Sequence, residues 1–346
     1  LYAIRTVHGT ASDAKRVLTE MLRSRDRGVS PALTRETLDE WIRVWLRDHC
    51  TDISARTRVG YEDLFRRYLT PELRGRKIAL LTVSEVQQWV SALAASKLSP
   101  TTVRSAHAAL RACLSDAARL EKVIRNVAKG VVLPRKEHHE MRALTALEAQ
   151  KFLRGVHASP YCTLFLVWLH TGLRNAELAA LRWEDFDGQT LHVRRAVVFG
   201  GKGKPREIGP TKTGKPRAIP LSSDVAGALK QHRKEQAAHI MQFRNVYKDR
   251  GLIFATGRGG FVDFHNIQRR FFKPLLKRLE LPDIRMYDLR HTCATLLFSA
   301  GENLKVVQER LGHSTPMLTL TTYTHVLPGQ QARASDRLQE ILRITG

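Results

Sequence analysis

No stretch of the sequence approaches the ~18 consecutive apolar residues that a membrane span needs, and its first residues carry no signal-peptide pattern. A cytoplasmic protein is therefore expected, with neither a membrane location nor export. Cysteine is scarce as well: Cys50, Cys113, Cys162 and Cys293 lie far apart and form no C-x-x-C pair. Three of the four sit in apolar helical stretches, so free, buried thiols in a reducing compartment are expected. The histidines do not supply a zinc site, because His138-His139 lies in a charged stretch and His232 and His239 have no cysteine or carboxylate grouping at ligand spacing. Carboxylates are not clustered in the way a catalytic metal would require, so no metal and no cofactor are expected. The largest deficit is in negative charge. Against 57 Lys and Arg stand 33 Asp and Glu, a net charge of +24, and such a field attracts a polyanion, of which nucleic acid is the commonest.

What is present suffices for ordinary globular cores: 346 residues, 43% hydrophobic and 26% charged, enough for two domains of ~100–200 residues and part of a third. The chain opens Leu1-Tyr2 without methionine, as a trimmed or processed start would. Residues 1–31 are expected to be a remnant or linker helix, capped by Ser12 and broken at Gly28 and Pro31. Residues 32–133 read as several helices. Trp41, Val44 and Trp45 recur at helical spacing, as do Leu64, Phe65, Tyr68 and Leu69. Thr82-Val83-Ser84-Glu85 is a capping box, and Ser99-Pro100 opens a long helix carrying Val103, Leu110, Leu114 and Leu120. Arg56, Arg58, Arg66, Arg67, Arg104 and Arg111 punctuate this block and are its candidate DNA contacts. Residues 134–140 read as a charged linker, followed by a second domain, 141–346, that mixes helix and strand. Within it, Leu191-His192-Val193 and Arg195–Phe199 read as strands, 200–209 as a Gly/Lys loop, 217–221 as a return strand and Leu252-Ile253-Phe254 as a short strand. The fold class expected is mainly α with a small β-sheet.

Four segments of the second domain carry residues suited to phosphodiester chemistry without a metal, where arginine forks must supply the charge. Thr171-Gly172-Leu173-Arg174-Asn175-Ala176-Glu177 places Arg174 after a sharp turn, with Glu177 three residues on; alone, this would be a structural ion pair. Pro210-Thr211-Lys212-Thr213-Gly214-Lys215 reads as a hairpin turn, and a lysine at such a tip is commonly just solvated. Tyr287-Asp288-Leu289-Arg290-His291-Thr292 opens a helix. Leu311-Gly312-His313-Ser314 precedes Thr319-Leu320-Thr321-Thr322-Tyr323-Thr324-His325. Each segment is weak by itself; their order and intervals make the set specific.

Together they resemble the tyrosine recombinase (phage integrase) family, over roughly residues 141–346. The resemblance implies a helical SAM-like core-binding domain and a mixed α/β catalytic domain forming a C-shaped clamp on DNA, with residues 1–31 as the remnant of an N-terminal arm-binding region. It implies Tyr323 as nucleophile, Arg174, Arg290 and His313 as stabilisers of the phosphorane, and Lys212 as general acid. In the family's His-x-x-Arg pattern Tyr287 stands where a histidine is expected, and a phenol, which ordinarily titrates near ~10, is a poor base at neutral pH. The site either works with a hydrogen-bond donor there or takes its base elsewhere. The partners implied are two double-stranded DNA sites and a homotetramer assembled on them, monomeric or weakly associated off DNA. A directionality factor or DNA-bending protein is a further possible partner. An apolar stripe at Leu338, Ile341, Leu342 and Ile344 could be a core helix or dock onto a neighbouring copy. Integration or excision of a phage or other mobile element is the role expected. Xer-like chromosome-dimer resolution, type IB topoisomerase action and non-catalytic DNA binding on the same scaffold are the alternatives.

Overall fold

The computed structural model of the protein describes residues 6–26, 34–136, 142–201, 203, 205–315, 335 and 338–342, without the side chains of 20–26. The chain divides into two compact units, residues 1–139 with 200–204, and residues 140–199 with 205–346.

In the first unit, helix α1 (Ala11–Asp26) starts two residues earlier than a cap at Ser12 would place it. Thr10 is the cap: its N–H donates to Asp13 Oδ2 at 3.0 Å, and the Asp13 N–H returns to the Thr10 hydroxyl. The expected break at Gly28 and Pro31 lies outside the described residues. Next come α2 (Leu38–Val44), which widens into a π turn at Trp45–His49, then α3 (Ala55–Tyr68), α4 (Pro71–Gly75), α5 (Val83–Ala95) and α6 (Pro100–Arg119). The Thr82–Glu85 box and the Ser99-Pro100 start are both formed. One core gathers Trp41, Trp45, Trp89, Leu110 and Leu114. Each indole N–H finds an acceptor: Trp41 on the Cys113 carbonyl at 3.2 Å, Trp45 on Asp116 at 2.7 Å, Trp89 on the Tyr68 carbonyl at 2.7 Å. Large rings are thus buried without stranding a donor. Leu120 ends α6 at the surface instead of joining the core.

In the second unit, α7 (Ala146–Val156) begins at the Thr145–Glu148 capping box, and α8 (Cys162–Thr171) is apolar on nearly every side. Both helices bury rings, with Phe152, Phe165 and Phe272 in mutual contact at 5.2 to 5.8 Å between centroids. After the short α9 (Asn175–Leu178) come β1 (Thr190–Val193), β2 (Arg195–Phe199), β3 (Arg206–Pro210) and β4 (Arg217–Pro220). The stretch read as loop to residue 209 is therefore a strand from Arg206, because Arg206–Pro210 pairs along all of β2. β1 pairs with β4 and β2 with β3, both antiparallel. β1 and β2 form one long arm, and residues 211–216 bulge from the return arm opposite Arg194. The long α10 (Ser223–Gln242) follows, then α11 (Phe264–Ile267), a π turn, α12 (Lys273–Arg278), α13 (Asp288–Ser299) and α14 (Leu304–Leu311). Leu252-Ile253-Phe254 is not a strand: Leu252 makes one isolated bridge with Arg182. Cys50, Cys113 and Cys293 are buried free thiols, and Cys162 is half-buried. No described helix is long and apolar enough to cross a membrane.

Candidate active site

α8 closes on Gly172, whose φ of 61° is left-handed. A Cβ there would lie 2.5 Å from Leu311 Cδ2, so glycine is needed both for the turn and for the approach of α14. The reversal sets Arg174 at the head of α9 in extended conformation. Its N–H donates to Glu177 Oε2 at 3.0 Å and its Nη1 to Oε1 at 2.8 Å. Glu177 is 1% exposed. Burial alone would push its carboxyl up, but the bonds and charges of Arg217 and Arg174 overcome this and hold it below the usual range.

The end of α14 explains the rest of the arrangement. Gly312, at φ 67°, and His313 close a Schellman turn, with the His313 N–H on the Gln308 carbonyl at 3.1 Å and the Gly312 N–H on Glu309 at 3.0 Å. The outermost carbonyls still face outward with the negative end of the helix dipole. Three arginines from three elements take three consecutive ones: Arg217 Nε donates to Arg310 O at 2.9 Å, Arg290 Nη2 to Leu311 O at 2.8 Å, and Arg174 Nη2 to Gly312 O at 2.7 Å. Arg290, 1% exposed, also donates Nη1 to Gly172 O at 2.6 Å. Burial first, and the neighbouring Arg174 next, bring Arg290 down to about 10, so it remains a cation at neutral pH.

His313 therefore follows directly on the arginine-held carbonyls, and Gln308 Nε2 donates to its carbonyl at 3.2 Å. Burial, then Arg290 and Arg174, with His291 and Arg217 adding to them, lower His313 to about 4. Its imidazole is neutral at pH 7, and a neutral ring keeps one N–H to donate. Tyr287, 38% exposed, stands at the start of α13 with its ring 5.5 Å from His291 in T-shaped contact. His291 is likewise brought to about 4, by burial against the opposing pull of Asp288, and then by Arg290 and Arg285. Lys212 sits exposed on the bulge of residues 211–216, which is braced by Gly214 N–H on Thr211 O at 2.9 Å and by a left-handed Gly214. It is not at a hairpin tip, since β3 and β4 do not pair with each other. Tyr323 lies outside the described residues, as does Ile344.

Arg174, Arg290 and His313 are thus brought together on one helix end. Sequence reasoning missed Arg217 and His291. Arg217 gave only a basic residue opening a strand; His291 had a signal, one helical turn beyond Tyr287 on the same face. In the first unit, Arg56, Arg58, Arg66, Arg67, Arg104 and Arg111 are all exposed. On α3 they do not share one face: Arg56 and Arg67, eleven residues apart, align, whereas Arg58 and Arg66 fall on another side. Arg66 is engaged by Asp63 at 2.5 Å, and Arg104 by the Pro134 carbonyl at 3.1 Å. Among the described residues no group of three or more His, Cys, Asp or Glu is placed to hold a metal ion.

The model of the phage integrase family matches residues 137–330, more than half of the chain and all the segments above. The chain belongs to the phage integrase family. The family's N-terminal SAM-like domain matches residues 37–94. A "Tyrosine recombinase XerC-like" protein of Caldanaerobacter subterraneus is 28% identical over 96% of this chain and 90% of its own length. The integrase of Mycobacterium phage D29 is 25% identical, covering 92% and 83%. Solved structures share the fold. The Tn1549 transposon integrase in complex with a circular intermediate DNA superposes with TM-score 0.73 at 23% identity, over 87% of this chain and 99% of that one. A lambda integrase dimer bound to a COC′ core site gives 0.63 at 17%, over 91% and 88%. This family member is an enzyme of the tyrosine site-specific recombinase class.

Proposed function

We propose that this recombinase cuts and rejoins duplex DNA through a 3′-phosphotyrosine, integrating or excising a phage or other mobile element. The observation that carries the reading is the meeting of Arg174, Arg290 and neutral His313 at the carbonyl end of α14. Two fixed guanidinium forks and an N–H donor suit the non-bridging oxygens of a phosphodiester at its transition state. Tyr323 follows His313 by ten residues in the sequence and is the nucleophile of this reading. Its oxygen bonds to phosphorus, the bond to the 5′ oxygen breaks, and Lys212 protonates that oxygen as it leaves. The reverse attack by a 5′-hydroxyl of another strand reseals the backbone, so neither ATP nor a metal is consumed. Exposed Lys and Arg of the first unit, Arg56 and Arg67 among them, would hold phosphates with little reading of sequence.

A homotetramer on two DNA sites is the assembly we favour. Leu338, Ile341 and Leu342 are 56%, 79% and 66% exposed, an apolar stripe suited to a neighbouring copy. A directionality or DNA-bending factor would bias the outcome, and work on chromosomal or phage DNA would call for a cytoplasmic enzyme. The test is covalent trapping on a nicked suicide substrate of its own site: wild type should give a protease-sensitive shifted adduct, and Tyr323→Phe none. Absence of the wild-type adduct would leave only DNA binding. The XerC-like relative favours one second reading, chromosome-dimer resolution. Recombination between two like sites, with none between unlike ones, would select it.

A further inference from the structure

We infer that Arg217 is a positioning residue of the strand-cutting site, one that aims Arg174, Arg290 and His313 at a single phosphate without touching DNA itself. The inference rests on the recombinase reading above. The Arg217 side chain is only 10% exposed, and its donors point inward. Nη2 and Nη1 span both oxygens of Glu177 at 2.7 and 3.2 Å, and Nε reaches the Arg310 carbonyl at 2.9 Å. It therefore joins the two groups that hold Arg174, the Glu177 carboxylate and the end of α14.

Two further features point the same way. A Cβ on Gly312 would come within 2.7 Å of Arg217 Nη1, so the α14 turn rests directly against this guanidinium. Arg217 also opens β4 immediately after the bulge that carries Lys212, and so anchors the root of that loop. Without the fork, Glu177 would keep a single arginine partner in a buried setting and the Arg310 carbonyl would lose its donor. Arg174 would then turn toward Glu177, and the α14 turn bearing His313 would shift. Lysine cannot substitute fully, because one ammonium does not span a carboxylate and a carbonyl in the fixed plane of a guanidinium.

The experiment compares wild type, Arg217→Lys and Arg217→Met in single-turnover adduct formation at saturating suicide DNA, beside DNA affinity and thermal melting. Displacement of the arginines by about an ångström should slow cleavage by about 100-fold in Arg217→Met, with affinity nearly unchanged. Arg217→Lys should recover part of the rate, and it carries the test if the methionine variant does not fold. On a substrate whose scissile phosphate is a neutral methylphosphonate, the defect should shrink, since the charge the arginines neutralise is gone. A 5′-bridging phosphorothiolate, whose leaving group needs no proton, should not relieve it. Variants that cleave at the wild-type rate, or a defect equally large on methylphosphonate and phosphodiester, would overturn the inference while wild type remains active. No adduct from wild type sinks the recombinase reading, and this inference with it.

Discussion

Arg290 is 1% exposed, with carbonyl partners on two separate elements, whereas Lys212 is exposed on a loop and has no hydrogen bond or ion pair among the described residues. The proposed roles account for the difference. A group that stabilises charge in a transition state is effective when its dipoles are already oriented and dry, because no reorganisation is then needed. A proton donor must reach the leaving oxygen and exchange its proton with water afterwards, and an exposed loop permits both. Order is concentrated where charge develops.

The strongest way to break this comparison is to remove the buried cation. Arg290→Met should lower single-turnover cleavage by about 1000-fold, as loss of a preorganised donor does. It should also lower the melting temperature, because the Gly172 and Leu311 carbonyls lose partners at about 1–3 kcal/mol each. Lys212→Ala should cost about 100-fold in cleavage and leave melting unchanged. A 5′-bridging phosphorothiolate should rescue Lys212→Ala and not Arg290→Met. If Lys212→Ala melts earlier than Arg290→Met, the contrast between a buried, bonded half and an exposed one is wrong.

The parts legible in the sequence are local. Thr82 with Glu85, Thr145 with Glu148 and Ser99 before Pro100 specify helix starts within one turn, and each forms where expected. Gly172 signals a reversal for the same reason. The parts that were not legible depend on partners far along the chain. Arg217 meets the Arg310 carbonyl at a sequence separation of 93, and no local pattern announces which carbonyl a guanidinium will find. The Lys212 segment has the composition of a hairpin turn, yet pairing assigns Pro210 to Arg195 and Arg217 to Val193, which leaves a bulge between two strands. Turn chemistry is a local property, and pairing is not. Ser12 lost the cap to Thr10 because Asp13 reaches back to Thr10 in a reciprocal pair.

A smaller effect should follow at the α14 turn. Gly312→Ala places a Cβ at a left-handed residue, at about 1–2 kcal/mol, and against the Arg217 guanidinium, 2.7 Å away. Melting should fall modestly, and cleavage should fall with the same substrate pattern as Arg217→Met. A normal cleavage rate would show that the turn can move without disturbing the arginines.

The smallest effect concerns pH. In the folded chain His291 and His313 titrate at about 4, below the ordinary histidine value near ~6.5. Between those values the unfolded chain binds more protons than the folded one, so stability is lost as pH falls from about 6.5 toward 4 and is fully present above that window. Cleavage by wild type should therefore be nearly flat from pH 7.5 to about 5.5, since neither ring gains a proton there. Tyr287→His tests this most finely. It puts an imidazole at a helix start that is 38% open in the parent side chain, where burial opposes protonation less than it does at His291 or His313. The variant should acquire a titration near ~6.5 that wild type lacks, with little change in rate on its high-pH side. A wild-type profile that already breaks near that pH would mean that His291 or His313 is charged in the working site, and the dry, preorganised half of the comparison would have to be abandoned.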